Sequence, residues 1–395
     1  PPDDAELAQS ICETQWDDVR LVLRQTNARG WAHLARCSQS LTMLGQQSGA
    51  NKSRITRFDF ELIARAFASP NMRSLLVESP EPQGGSTRLT TLGKSLINWA
   101  TTASFEEAAA SAVQVLASAW ESAAERYRLA ELPQYFEYLP SMEAVSSAAT
   151  HGIDKKFYRD HLSHNVRCAL LASDVVADAV AGIALNDIIP QFVCFFSGLF
   201  HDISFPVATF PTTISTISKA LEALNLCRPL RPQSLLDTER LRKSLNYVAS
   251  LSSVPQLATQ FSDRTFNLWE SPGPALAPVE KRLLHELLLC AATEDHAIIS
   301  SAVLFNQAVL GRCSNKEEEF DSGIRTLMTE MTGVDAQPKA RELLLVLQAI
   351  ALHDRKAAIK FHGVKSVPLD SPSVLPYPDY PLPTIVALTD ECQEW

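Results

Sequence analysis

Phe192-Val193-Cys194-Phe195-Phe196-Ser197-Gly198-Leu199-Phe200-His201-Asp202 is a nearly unbroken apolar run that ends on two polar side chains. The run reads as a buried helix, with 188–200 as its expected extent. A histidine and an aspartate at the end of such a segment are costly to bury, and a cation would compensate that cost.

Outward from this run, apolar residues recur at three- and four-residue spacing, and alternating stretches that signal strands are few. The expected fold is therefore all-α. Further helices are expected over 158–181, 279–304, 339–359 and 384–395. Nearer the N-terminus, Leu21, Val22, Leu34, Leu41 and Leu44 belong to helical patterns, and 58–68 and 108–127 read as helices. The breakers in 80–86 mark a loop.

At 395 residues the chain exceeds the size at which one core usually stops growing, so two domains or one elaborated domain are expected. The stretch 132–148 contains Pro133 and Pro140 and separates the two parts, with a soft boundary near residue 145. Residues 1–145 form an N-terminal helical region without an interpretable chemical motif. Residues 146–395 carry the candidate chemistry, with an insertion or cap around 205–278 that includes a helix over 238–251. Six prolines (368, 372, 376, 378, 381 and 383) make 367–383 an extended connection to the last helix.

The net charge of −10 and the lack of a basic run disfavour a nucleic-acid partner, while a local pocket for a small anion remains compatible. The eight cysteines are scattered without a Cys-x-x-Cys pair, as buried thiols of a cytosolic protein would be. The longest apolar runs are too short to span a bilayer, and no charged-then-apolar leader opens the chain. The expectation is a cytoplasmic protein with no membrane association. Opening on Pro1 and stopping at Trp395 in mid-pattern, the chain reads as a trimmed fragment.

Residues of metal-ligand type occur in the order His164, His201-Asp202, His296, His353, Asp390. Arg159-Asp160-His161-Leu162-Ser163-His164-Asn165-Val166-Arg167-Cys168-Ala169-Leu170 resembles the first motif of the HD-domain superfamily. Gly198-Leu199-Phe200-His201-Asp202-Ile203 resembles its defining His-Asp motif, and Leu388-Thr389-Asp390-Glu391 its closing Asp helix. His296 and His353, in Glu294-Asp295-His296-Ala297 and Ala351-Leu352-His353-Asp354, match the two additional histidines of the dinuclear branch. The resemblance covers about residues 150–395.

The resemblance implies that His164, His201, Asp202 and Asp390 hold one divalent ion and that His296 and His353 hold a second, with Asp202 bridging. Imidazole and carboxylate ligands suit iron, manganese, zinc or magnesium, so residue type alone does not choose the metal. Helices packed side by side can each aim one ligand at a common point. His161, three residues before His164 and on the same helical face, is a candidate to line the substrate pocket or to exchange roles with it. Arg159, Arg167, Arg355 and Lys356 are candidates to neutralise a phosphate, with Arg159 and Lys356 ahead. Asp295 and Asp354 adjoin ligand histidines and could orient them. His33, His151, His285 and His362 have no comparable context.

The expected activity is metal-dependent hydrolysis of a small phosphomonoester or phosphodiester, plausibly a nucleotide, with Asp202, His161, Arg159 and Lys356 as catalytic candidates. Ile203-Ser204-Phe205-Pro206 lacks the second histidine of the superfamily's deoxynucleoside triphosphate hydrolases. It is only a loose analogue of the Gly-Tyr-Pro element of its cyclic-di-nucleotide phosphodiesterases. Two alternatives stand beside hydrolysis. The six-residue pattern also resembles the superfamily's di-iron oxygenases, and the N-terminal region could make the protein a ligand-responsive regulator with a protein partner.

Overall fold

The computed structural model describes residues 57–78, 88–102, 105–150, 161–179, 188–206, 239–252, 296–313, 320–332, 336–354 and 381–392. Among these residues the architecture is all-α, with one isolated β-bridge between Val77 and Leu89. The helices are α1 (Arg57–Ala68), α2 (Pro70–Leu76), α3 (Thr91–Ala100), α4 (Phe105–Tyr127), α5 (Pro133–Thr150) and α6 (His161–Ala179). They continue with α7 (Pro190–Phe200), α8 (Glu239–Ser252), α9 (His296–Leu310), α10 (Phe320–Thr332), α11 (Pro338–Leu352) and α12 (Pro381–Cys392). The expected helices near Leu21 to Leu44, the loop over 80–86 and most of the insertion at 205–278 lie outside the described residues.

Proline marks helix starts here. Pro70, Pro190 and Pro338 stand in the first turn, where the missing N–H has no intrahelical acceptor to lose. The same reason corrects one sequence expectation: Pro381 and Pro383 belong to α12 rather than to an extended connection. The stretch 132–148 is mostly the helix α5, with Pro140 inside it. Residue 145 therefore lies within a helix. Phe136 and Leu139 of α5 are buried in one hydrophobic core that runs from Leu62 on α1 to Leu388 on α12.

At the centre of that core are α7 and α11. Every residue from Gln191 to Phe200 is buried, and so is every residue from Glu342 to Leu352. A helix that is apolar on all sides must be enclosed. Around these two, α6 packs against α7 and α12, while α9 packs against α8 and α11. The N-terminal helices join the same core: Trp120 of α4 meets Phe200 edge-on at 5.3 Å, and Tyr127 meets Phe196 at 5.5 Å.

Gly198 sets the closest approach of α6 to α7. A Cβ there would stand 2.8 Å from the Ala169 Cα and N atoms and 2.9 Å from the Cys168 carbonyl carbon. Those are backbone atoms and cannot turn aside. Gly198→Ala is expected to force the two helices apart and to cost about 1–3 kcal/mol, the range for overpacking. A urea midpoint equal to that of the wild type would contradict this contact.

Candidate metal centre

Five helices deliver their side chains to one point. His161 and His164 stand on the first turns of α6, His201 and Asp202 follow the last residue of α7, and His296 opens α9. His353 follows α11 directly, and Asp390 lies near the end of α12. The packing of α6, α9, α11 and α12 around α7 thus brings all six sequence-predicted ligands together.

The distances are those of a single cluster. His164 Nε2 lies 2.9 Å from Asp390 Oδ1 and 3.2 Å from His201 Nε2. The two Asp202 oxygens face different neighbours. Oδ2 is 3.4 Å from His201 Nε2, 3.7 Å from His164 Nε2 and 3.6 Å from His161 Nδ1, whereas Oδ1 is 3.0 Å from His296 Nε2. Two groups have ligand atoms within 4.8 Å of one another: His164, His201 and Asp390, and His201, Asp202 and His353.

His201 and His353 share one local device. Each caps the C-terminus of its helix and places Nδ1 on the carbonyl three residues back, Gly198 at 2.8 Å and Ile350 at 2.7 Å. A carbonyl can only accept, so Nδ1 carries the proton and the neutral ring keeps its lone pair on Nε2. His353 Nε2 is buried without a hydrogen-bond partner. A buried acceptor left unmatched costs about 1–3 kcal/mol. A cation at this point would remove that cost, so the residues present fit a metal ion.

The electrostatics agree with that fit. Burial lowers the proton affinity of His353, and the neighbouring His201 lowers it further, to a pKa of about 4. His353 is thus neutral and able to act as a ligand near pH 7. At Asp202 burial favours the neutral acid, but the neighbouring His201, His296 and His161 outweigh it and hold the carboxyl well below the usual range. Burial disfavours charge on His201 too, yet Asp202 and Asp390 raise its pKa overall. The cluster therefore holds the Asp202 carboxylate charged.

The ligands are not equally buried. The side chains of His201, Asp202 and His164 are at most 4 % exposed, against 17 % for His161 and Asp390 and 23 % for His296. Arg159, Lys356, Arg355 and Asp295 lie outside the described residues, as do His33, His151, His285 and His362. Arg167 does not serve an anion. It makes a buried two-pronged pair with Asp59, Nε to Oδ1 at 3.0 Å and Nη2 to Oδ2 at 3.2 Å, which ties α6 to α1.

Several neighbours of the cluster were not singled out by the sequence reading. Phe205 stacks on His161 with ring centroids 4.0 Å apart and meets His296 edge-on at 5.7 Å. Tyr135 of α5 donates to the carbonyl of Ile203, just past the His-Asp pair. Ser204 and Ser300 bond to each other beneath His296. Only Ser300 carried a usable signal, since four residues after His296 it shares that residue's helical face.

Comparison of the chain with protein-family models, with curated proteins and with solved structures finds no match in any of the three.

Proposed function

We propose that this protein is a metal-dependent phosphohydrolase that acts on a small phosphomonoester or phosphodiester, such as a nucleotide, at an HD-like centre. The observation that carries this reading is the convergence of four histidines and two aspartates from five helices, with the buried Nε2 of His353 lacking any other partner. His164, His201 and Asp390 would hold one divalent ion, and His296 and His353 a second, with Asp202 offering one oxygen to each half. Bound there, such a pair lowers the pKa of a water and stabilises charge on the attacking and leaving oxygens of a phosphoester.

The remaining residues act on the substrate side. His161, partly exposed and stacked on Phe205, would supply a proton to the leaving oxygen. The low proton affinity of Asp202 keeps its carboxylate an acceptor throughout the reaction. Arg159 and Lys356 remain candidates for holding the phosphate.

The test is phosphate release from a panel of nucleotide monoesters and diesters by the full chain, with Mn²⁺ and after chelation. Hydrolysis that chelation abolishes and Mn²⁺ restores is the expected result. Oxygen consumption by an iron-loaded protein that hydrolyses none of the panel would favour the oxygenase instead.

A further inference from the structure

Ser204 stands on the turn that follows His201-Asp202, and Ser300 lies one helical turn into α9 from His296. Ser300 is wholly buried and Ser204 is 1 % exposed. Three hydrogen bonds join these segments. The Ser204 N–H donates to Ser300 Oγ at 3.1 Å, Ser204 Oγ donates to the His296 carbonyl at 2.9 Å, and the two hydroxyls lie 2.8 Å apart. Proton accounting fixes the direction of the last. Ser204 has one hydroxyl proton and gives it to His296, so Ser300 must donate to Ser204.

The three bonds close a small ring, and every donor in it is used. The ring spans 92 residues of sequence at one bond and 96 at the others. The same two segments carry the 3.0 Å contact of His296 Nε2 with Asp202 Oδ1. His296 is the first residue of α9, and the Ser204 hydroxyl fastens its backbone carbonyl to the His-Asp turn.

We infer that Ser204 and Ser300 are positioning residues that hold His296 against Asp202, so that they set the affinity of the second ion and not of the first. The inference rests on the two-ion reading of the centre. His164, His201 and Asp390, which define the other half, make no hydrogen bond to either serine among the bonds described. Loss of a hydrogen bond behind a metal ligand typically weakens metal affinity by about 10- to 100-fold.

The experiment is calorimetric titration of the chelator-stripped full chain with Mn²⁺. The wild type is expected to bind two ions. In Ser300→Ala the weaker event should lose at least about tenfold in affinity while the tighter one stays within about twofold. Ser204→Ala, which changes the turn and leaves α9 intact, should show the same selective loss and provides the measurement if the helix variant does not fold. His296→Ala should lose the same event outright. Binding unchanged in both serine variants, or both events weakened equally, would overturn the positioning role while leaving the two-ion centre in place. A wild-type chain that binds fewer than two ions would overturn that reading and this inference with it.

Discussion

Asp202→Ala is expected to lose metal and hydrolysis together while the chain stays folded. The carboxylate touches both halves of the centre, with Oδ2 beside His164 and His201 and Oδ1 beside His296. Removing it takes a negative charge from a buried site that would have to accept two cations, so both should go. Hydrolysis should fall by at least about 10³-fold, the scale for losing a main electrostatic element of an active site. The fold should survive because His201 keeps its bond to the Gly198 carbonyl and its Asp390 neighbour, so no buried positive charge is left without a partner. Asp202→Asn keeps the shape and removes the charge, and should behave in the same way. Elemental analysis, phosphate release and circular dichroism on the same samples check all three parts, and full hydrolysis by either variant would sink the bridging role.

Glu342→Ala is expected to cause the largest loss of stability. Glu342 lies on the central helix α11, 1 % exposed, and accepts from Arg126 Nε at 2.5 Å, Arg126 Nη2 at 3.0 Å and Tyr127 Oη at 2.6 Å. It also accepts from the Ile189 N–H at 3.2 Å. Ile189 is the N-cap of α7 and has no side-chain cap of its own, so the carboxylate faces the positive end of that helix. Burial works against charge on Arg126, and Glu342 outweighs it. The Arg126 guanidinium also sits 4.4 Å over the Phe192 ring, so the pair binds α4, α7 and α11 together. Alanine would leave a half-buried cation, a buried phenol and a helix-end N–H without their acceptor. Breaking a buried pair from one side costs about 3–5 kcal/mol, a large part of the total stability of a domain. Tyr127→Phe removes one neutral donor and should cost about 1 kcal/mol. Urea midpoints at constant slope measure both, and a Glu342→Ala loss under about 1 kcal/mol would show that this network does not secure the core.

The all-α fold was legible because the apolar residues that enclose α7 and α11 recur with helical spacing along uninterrupted runs. Helix ends were less legible. Proline was read as a breaker at 381 and 383, whereas at the first turn of a helix it has nothing to break. The six candidate ligands were legible because His201-Asp202 ends an apolar run and the others occur in a matching order on separate helices. What pairs with what across long separations was not. Arg167 had the look of an anion-binding arginine until Asp59, over a hundred residues away, proved to be its partner at 3.0 Å. Neither charge reveals by its local context that the other will be buried beside it. The same holds for Phe205 on His161, where an aromatic after the His-Asp pair gave no sign of which ring it would meet.

Metal identity and number per chain, measured by elemental analysis of protein purified without oxygen and without chelator, test the central claim most directly. About two divalent ions per chain are expected, lost together in Asp202→Ala. A chain that carries no metal as purified and takes up none when Mn²⁺, Zn²⁺ or Fe²⁺ is supplied would contradict it.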